Sequence, residues 1–262
     1  MKILASDMDG TLVVNDEINP KDIQAIDELK KEGHKFVVST GRTLKGMDNI
    51  FQKYKVPYDY MVLCNGALII DRDKKIIYRD SIKNEKIKKI IKAFEGKENI
   101  MMYMDDGENF YIIKNDNAKK NEIKFFDSIN YTKISSQDAL KLDQDFIMAS
   151  VFATDREVFR AIEAKKILDE ILDEKESCRN EFFVDIIASG CSKGKGLEQL
   201  LKIENKEIED LYAIGDSFND ISMFELTKNS YTFNRAEDEV KKHAKNNVDY
   251  IYEVVDDILN KR

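Results

Sequence analysis

The 262 residues are 42% hydrophobic and 35% charged, which is enough apolar side chain for one large domain or two modest ones. A net charge of −8 argues against a nucleic-acid partner, and the lysines of "KNEKIKKIIK" (83–92) fall at helical spacing, as on a solvated face. Two histidines and three cysteines without a CxxC supply neither a zinc-hydrolase ligand set nor a Ser-His-Asp triad, so the chemistry must come from carboxylates.

In chain order, "MKILASD" is too short in apolar residues for a signal peptide, and no later run approaches membrane-spanning length. The expectation is a cytoplasmic protein with free thiols at Cys64, Cys178 and Cys191. "KILAS" (2–6), "KFVVST" (35–40) and "YMVLCN" (60–65) are continuous apolar runs, as expected for strands buried on both faces. Between the first two, Asn19 serves as N-cap, Pro20 as first helical residue and Gly33 as stop, with Ile18 stapled to Ile23. Ile23, Ile26 and Leu29 form the expected buried stripe. Strand, helix and strand in this order imply right-handed parallel crossovers.

From about 81 to 185 the pattern changes. A helix at 83–95 precedes two strands, "IMMYMD" and "FYIIK", joined by the turn "DGEN"; a helix follows at about 155–173, then a strand at "EFFVDII" (181–187). Alternation then resumes with a strand "LYAIG" (211–215), a helix "NDISMFEL" and a strand "SYTFN" (230–234). A helix around 236–245, a short strand "YIYEV" and a final helix complete the chain. The expected fold is α/β, a Rossmann-like parallel-sheet core built from 1–80 and 188–262, with an α+β cap domain inserted at 81–187.

Ligands of such sheets bind beyond the carboxyl ends of the strands. Asp7 and Asp9 in "DMDGTL" follow the first strand, "STGR" (39–42) ends the second, and "GDSFND" (215–220) ends the strand near 211. "SKGKG" (192–196) opens the helix before that strand. Each is ordinary alone: an acid after a strand is often a cap, and a lone lysine is usually solvated. "GCSKGKG" is one residue short of a P-loop and lacks its Ser or Thr, and "DGEN" lacks the remaining ligands of a calcium loop.

Taken in order, the four motifs resemble those of the haloacid dehalogenase superfamily. "CNGALI" (64–69) and "GCSKGKGLEQLL" are similar to its Cof-type branch, and the insertion falls where a C2-type cap, of the C2B kind, sits. The resemblance implies hydrolysis of phosphate monoesters with Mg²⁺. A phosphate dianion repels a carboxylate, so its charge must be neutralised before attack. By the same resemblance Asp7 attacks phosphorus and forms an aspartyl-phosphate, while Asp9 protonates the leaving oxygen and then activates water. The implied metal ligands are Asp7, the backbone carbonyl of Asp9, and Asp216, with Asp220 in support. Lys193 would neutralise Asp7 and the phosphoryl group, and Asn219 would touch that group. Thr40, with Ser39 as the alternative hydroxyl, and the amides of Gly41 and near Met8 would meet phosphoryl oxygens. Arg42 is either a substrate contact or a structural salt bridge.

The expected ligand is a small phosphorylated metabolite, a sugar phosphate or else pyridoxal phosphate or a flavin mononucleotide; no membrane, nucleic acid or protein partner is indicated. The rival readings are a phosphosugar mutase, which also needs Asp7 and Asp9, and a non-catalytic ligand sensor. Two segments depart from the family pattern: "TFNRA" (232–236) places Arg235 where a small residue is usual, and "NNVDYIYEVV" lacks the usual glycine near the C-terminal edge strand.

Overall fold

The structure, a computed structural model, describes residues 1–118, 126, 129–173 and 176–260. It divides into two compact units. One comprises Met1–Arg42, Ile50–Arg79 and Ser192–Arg262, the other Thr43–Asn49 and Asp80–Cys191.

In chain order the first unit begins with β1 (Ile3–Ser6), α1 (Pro20–Lys31), β2 (Lys35–Ser39), α2 (Leu44–Tyr54, whose first turns belong to the second unit) and β3 (Tyr60–Leu63). A hairpin of β4 (Leu68–Asp71) and β5 (Ile76–Arg79) follows. The second unit holds α3 (Asn84–Phe94), β6 (Ile100–Asp105), β7 (Phe110–Ile113), β8 (Thr132–Ile134), α4 (Ser136–Ala139), β9 (Met148–Ala153), α5 (Val158–Asp169), β10 (Ser177–Asn180) and β11 (Phe183–Ile187). The chain then returns with α6 (Lys193–Ile203), β12 (Leu211–Ile214), α7 (Ile221–Leu226), β13 (Asn229–Phe233), α8 (Asp238–Lys241), β14 (Asn246–Val248) and α9 (Ile251–Asn260). None of the described helices is long and apolar enough to cross a membrane.

The first unit is an eight-stranded sheet in the order β14-β13-β12-β1-β2-β3-β4-β5. It is parallel from β14 to β3, and β4 and β5 add antiparallel strands at the edge. β1 lies inside, between β12 and β2, and all four of its residues are buried. Its uninterrupted apolar run is what a strand covered on both faces requires. On one face Ile3, Ala5, Val37, Val62, Leu211 and Ala213 pack on Leu197, Leu200 and Leu201 of α6 and on Met223 of α7.

α1 forms as expected, with the Asn19 side chain accepting from the Lys21 amide and Pro20 in the first turn. Its buried stripe is Asp22, Ala25, Ile26 and Leu29, while Ile23 is only half-buried. Asp22 takes the inner position because its carboxylate accepts the Tyr252 amide, 2.9 Å away, at the start of α9. The C-terminal elements differ from expectation in register. The edge strand is β14 at Asn246–Val248, and "YIYEV" instead enters α9, where Ile251, Val254, Val255 and Ile258 are buried at helical spacing. Within five residues this pattern cannot be told from a strand, and the window 236–245 yields only the four-residue α8.

The second unit is a six-stranded sheet, β10-β11-β9-β6-β7-β8, antiparallel except between β7 and β8. Alternation along its strands gives two different faces. Met102, Met104, Val151, Val184 and Ile186 meet Ile87, Ile90, Ile91 and Phe94 of α3 and Ala161, Ala164 and Leu168 of α5. The other face is aromatic, with Tyr103, Phe110, Phe126 and Phe152 clustered and the Tyr103 and Phe110 rings stacked at 4.8 Å.

Asp185 lies on this aromatic face, where the Tyr103 hydroxyl donates to it at 3.5 Å. Burial pushes its carboxyl up to about 6, against the pull of the Ser150 and Tyr103 hydroxyls. A carboxyl raised on folding binds its proton more tightly in the native chain, so stability falls as pH rises from the ordinary aspartate range through about 6. Asp185→Asn is therefore expected to raise stability by on the order of 1 kcal/mol at about pH 8 and to change little at about pH 4, read by urea unfolding at both pH values. A second stability prediction concerns α6, where a Cβ on Gly196 would lie 2.5 Å from Val62 Cγ1 and 2.7 Å from Gly66 Cα. Gly196→Ala is expected to cost ~1–3 kcal/mol in the same assay, as overpacking does.

Candidate active site

β1 delivers Asp7 to the carboxyl edge of the sheet, where its amide still pairs with the Ile214 carbonyl of β12 at 2.9 Å. The chain then curls tightly: the Val13 amide donates to Met8 O at 2.8 Å and the Gly10 amide to Val13 O at 2.9 Å. Gly10 sits at φ +87°, and a Cβ there would fall 2.5 Å from Asp216 Oδ2, so only glycine fits. Thr11 Oγ1 donates to Asp216 Oδ1 at 2.6 Å, which ties the curl to the end of β12.

Asp220 folds back on the same strand end. Its Oδ2 accepts the amides of Asp216 at 2.9 Å and Ser217 at 3.0 Å. Lys193 enters from the first turn of α6, whose N-cap Ser192 accepts the Lys195 amide at 3.1 Å. The Lys193 ammonium donates to Asp7 Oδ1 at 2.5 Å and Asp220 Oδ1 at 2.6 Å, and the residue is 1% exposed. Residues far apart in sequence thus converge through the ends of β1 and β12 and the start of α6.

The electrostatics follow from this packing. Burial works against the ammonium of Lys193, but Asp220 and Asp7 more than offset it and hold its pKa above the usual lysine value. Burial pushes Asp7 well above the usual carboxylate range; Lys193 pulls it down, whereas Asp220 and Asp216 push it further up. Asp216 is raised as well, by burial first and then by Asp220, against the Thr11 hydroxyl. Three carboxylates against one ammonium leave an excess of negative charge.

This donor set fits a hard cation. Carboxylate oxygens of Asp7, Asp216 and Asp220 all lie within 4.8 Å of one another. Both oxygens of Asp220 are engaged by Lys193 and by two amides, so ligation would fall to Asp7 and Asp216. The Asp9 carboxylate lies outside this group. It is half-exposed and held by Arg42, Nε to Oδ2 at 2.7 Å and Nη2 to Oδ1 at 2.9 Å.

The end of β2 supplies the other residues singled out from the sequence. Thr40 is buried, and its hydroxyl accepts the Arg42 amide at 3.2 Å, leaving its own proton to donate. Ser39 Oγ is buried and has no hydrogen-bond partner among the described residues. The Met8 side chain is wholly buried, so only its backbone could meet a ligand. A Cβ on Gly41 would press on the Asn65 amide group at 3.1 Å.

Asn65 had no role assigned from the sequence. It sits at φ +50° in the turn after β3, donates its amide to Thr40 O at 3.1 Å, and accepts from Asn219 Nδ2 at 3.5 Å. Asn219 in turn accepts from Ser217 Oγ at 2.7 Å. The signal for Asn65 was an Asn-Gly pair directly after a buried strand, a left-handed turn at the ligand-bearing edge.

Comparisons with known proteins agree with this architecture. A Mycoplasma capricolum protein without an assigned function is 30% identical over 270 residues, spanning 97% of this chain and 98% of its own. The Bacillus subtilis 5-amino-6-(5-phospho-D-ribitylamino)uracil phosphatase YwtE is 24% identical over 93% of this chain and 91% of its own. The solved structure of BT4131, described as a HAD subclass IIB sugar phosphatase, shares the fold with a TM-score of 0.77 at 23% identity, covering 97% of this chain and 95% of that one. The family model of haloacid dehalogenase-like hydrolases matches residues 4–255. With that match running nearly end to end, the chain belongs to the haloacid dehalogenase-like hydrolase family, as an enzyme of its phosphatase class.

Proposed function

We propose that this phosphatase hydrolyses phosphate monoesters of small metabolites, with Mg²⁺, through a phosphoryl group carried on Asp7. The observation that carries the reading is the Lys193 ammonium, buried against Asp7 Oδ1 at 2.5 Å. A buried carboxylate fixed by a cation at a strand end is a nucleophile already aimed, and the same cation lowers the repulsion met by an incoming dianion.

Asp7 attacks phosphorus; an Asp7 O–P bond forms as the bond to the leaving oxygen breaks. Asp9, which takes up a proton from solvent on leaving Arg42, gives it to that oxygen. Asp9 then takes a proton from a water that attacks the phosphorus, which frees Asp7 and inorganic phosphate. Each transfer needs one Asp9 oxygen released from Arg42, and a half-exposed ion pair yields at little cost. Thr40 and the Gly41 amide would hold phosphoryl oxygens, with Asn219 kept in place by Asn65 and Ser217. Mg²⁺ held by Asp7, Asp216 and the Asp9 backbone carbonyl would supply positive charge to the phosphoryl oxygens. The substrate class is supported by the relative named for a phosphorylated ribitylamino-uracil.

Phosphate release from a panel of phosphorylated metabolites tests this reading. Wild type should turn over with Mg²⁺, lose activity in chelator and regain it when Mg²⁺ is restored, while Asp7→Asn should fall by about a thousandfold or more in kcat. Chelator-resistant turnover, or turnover that survives the loss of Asp7, would contradict it.

Lys193→Met separates charge from packing. It leaves Asp7 and Asp220 buried without their cation, so a stability loss of ~3–5 kcal/mol is expected together with a collapse of turnover. Raising the pH deepens the stability loss, because Asp7, already pushed up by burial, must ionise without the cation that pulls it down. A Lys193→Met protein with wild-type kcat would remove Lys193 from the reaction.

A further inference from the structure

Arg235 is the residue that departs from the family pattern, and the structure gives its side chain three partners. Its Nη2 donates to the Gly10 carbonyl at 2.9 Å, and its Nη1 donates to the Asp249 carbonyl at 3.4 Å. Its guanidinium carbon lies 3.6 Å from the centroid of the Phe233 ring. The turn that carries it is itself fastened, with the Asn234 amide on Val248 O at 2.9 Å and Asn234 Nδ2 on Asp249 Oδ1 at 2.7 Å.

We propose that Arg235 is a positioning residue that clamps the catalytic curl through the Gly10 carbonyl, and so fixes the backbone that carries Asp9. This rests on the phosphatase reading of Asp7 and Asp9. Gly10 is the pivot of the curl. Asp216 crowds one side of it, where a Cβ would fall 2.5 Å from Oδ2, and Arg235 holds its carbonyl. Between these two restraints the Gly10–Thr11 peptide, one residue beyond Asp9, has little room to turn. An exposed hydrogen bond is often worth little, because ordering a long side chain costs entropy. Here the ring and the Asp249 carbonyl already orient the planar fork, so less entropy is lost in holding Gly10. Lysine carries a point charge and cannot span two carbonyls in this way.

The test compares Arg235→Met and Arg235→Lys with wild type, using p-nitrophenyl phosphate and Mg²⁺, alongside hydrogen exchange of the Gly10 and Val13 amides that close the curl. The clamp predicts that Arg235→Met loses about tenfold or more in kcat with KM within about threefold, since misplacement of a reacting group weakens the chemical step. Exchange at Gly10 and Val13 should quicken while the β12 amide of Ala213 stays protected, and Arg235→Lys should recover part of both effects. Wild-type kcat in Arg235→Met would overturn the proposal, as would a lost kcat with unchanged exchange at Gly10 and Val13. A wild-type protein inactive on both p-nitrophenyl phosphate and the metabolite panel would instead sink the reading of Asp7 and Asp9, and exchange alone would then decide the clamp.

Discussion

The Lys193 ammonium, closed in between Asp7 and Asp220 with its side chain wholly buried, is the interaction on which the rest of the site depends. Removing such a charge from water costs several kcal/mol, and the loss is recovered only if the partners sit at hydrogen-bond distance. Asp220 meets that demand because two backbone amides hold its other oxygen. Asp7 meets it because β1 continues its pairing to the strand end. The capped first turn of α6 then has one place to deliver the amine. Gly66, Gly194 and Gly196 let that turn approach the chain so closely that a Cβ on any of them would fall within 2.7 Å of a neighbouring atom.

The surplus of carboxylate around one lysine works against folding. Asp7 and Asp216 are both raised, chiefly by burial, so ionising them draws on stability. A site arranged for fold stability alone would not hold three acids so near one another. The arrangement makes sense for a site that receives cation and anion together. Around this fixed centre the restraint loosens outward. Asp7 and Asp220 are held from several sides, whereas Asp9 is held by a half-exposed Arg42 that can release it. The group proposed to carry a proton lies on the looser pair, and the group proposed to attack phosphorus lies on the rigid one.

Much of this was legible in the sequence because it rests on short-range rules. The buried parallel strands showed as continuous apolar runs, and Asn19 and Pro20 marked the start of α1. The clustering of Asp7, Lys193, Asp216 and Asp220 could be anticipated because all four lie at ends of elements on the carboxyl edge of one sheet. What was not legible depends on distant partners. Asp22 turns inward only because α9 offers it an amide, and the α9 register is ambiguous within five residues. The β4–β5 hairpin lacks a Gly-containing turn; its loop is held by Asp71, whose carboxylate accepts the amides of Asp73 and Lys75, each at 2.9 Å. The pairing of Arg42 with Asp9 and the placement of Asn65 beside Asn219 are side-chain choices that no periodicity encodes.

The central claim is that Asp7 carries the phosphoryl group. The most direct measurement is a single-turnover reaction with Mg²⁺ and a phosphate monoester, quenched in acid, reduced with borohydride and mapped by peptide mass spectrometry. Borohydride converts an aspartyl-phosphate to homoserine, and the account predicts that conversion at position 7 alone, only when substrate is present. Phosphate release with Asp7 unmodified at every quench time, or conversion at Asp9 or Asp216 instead, would contradict it.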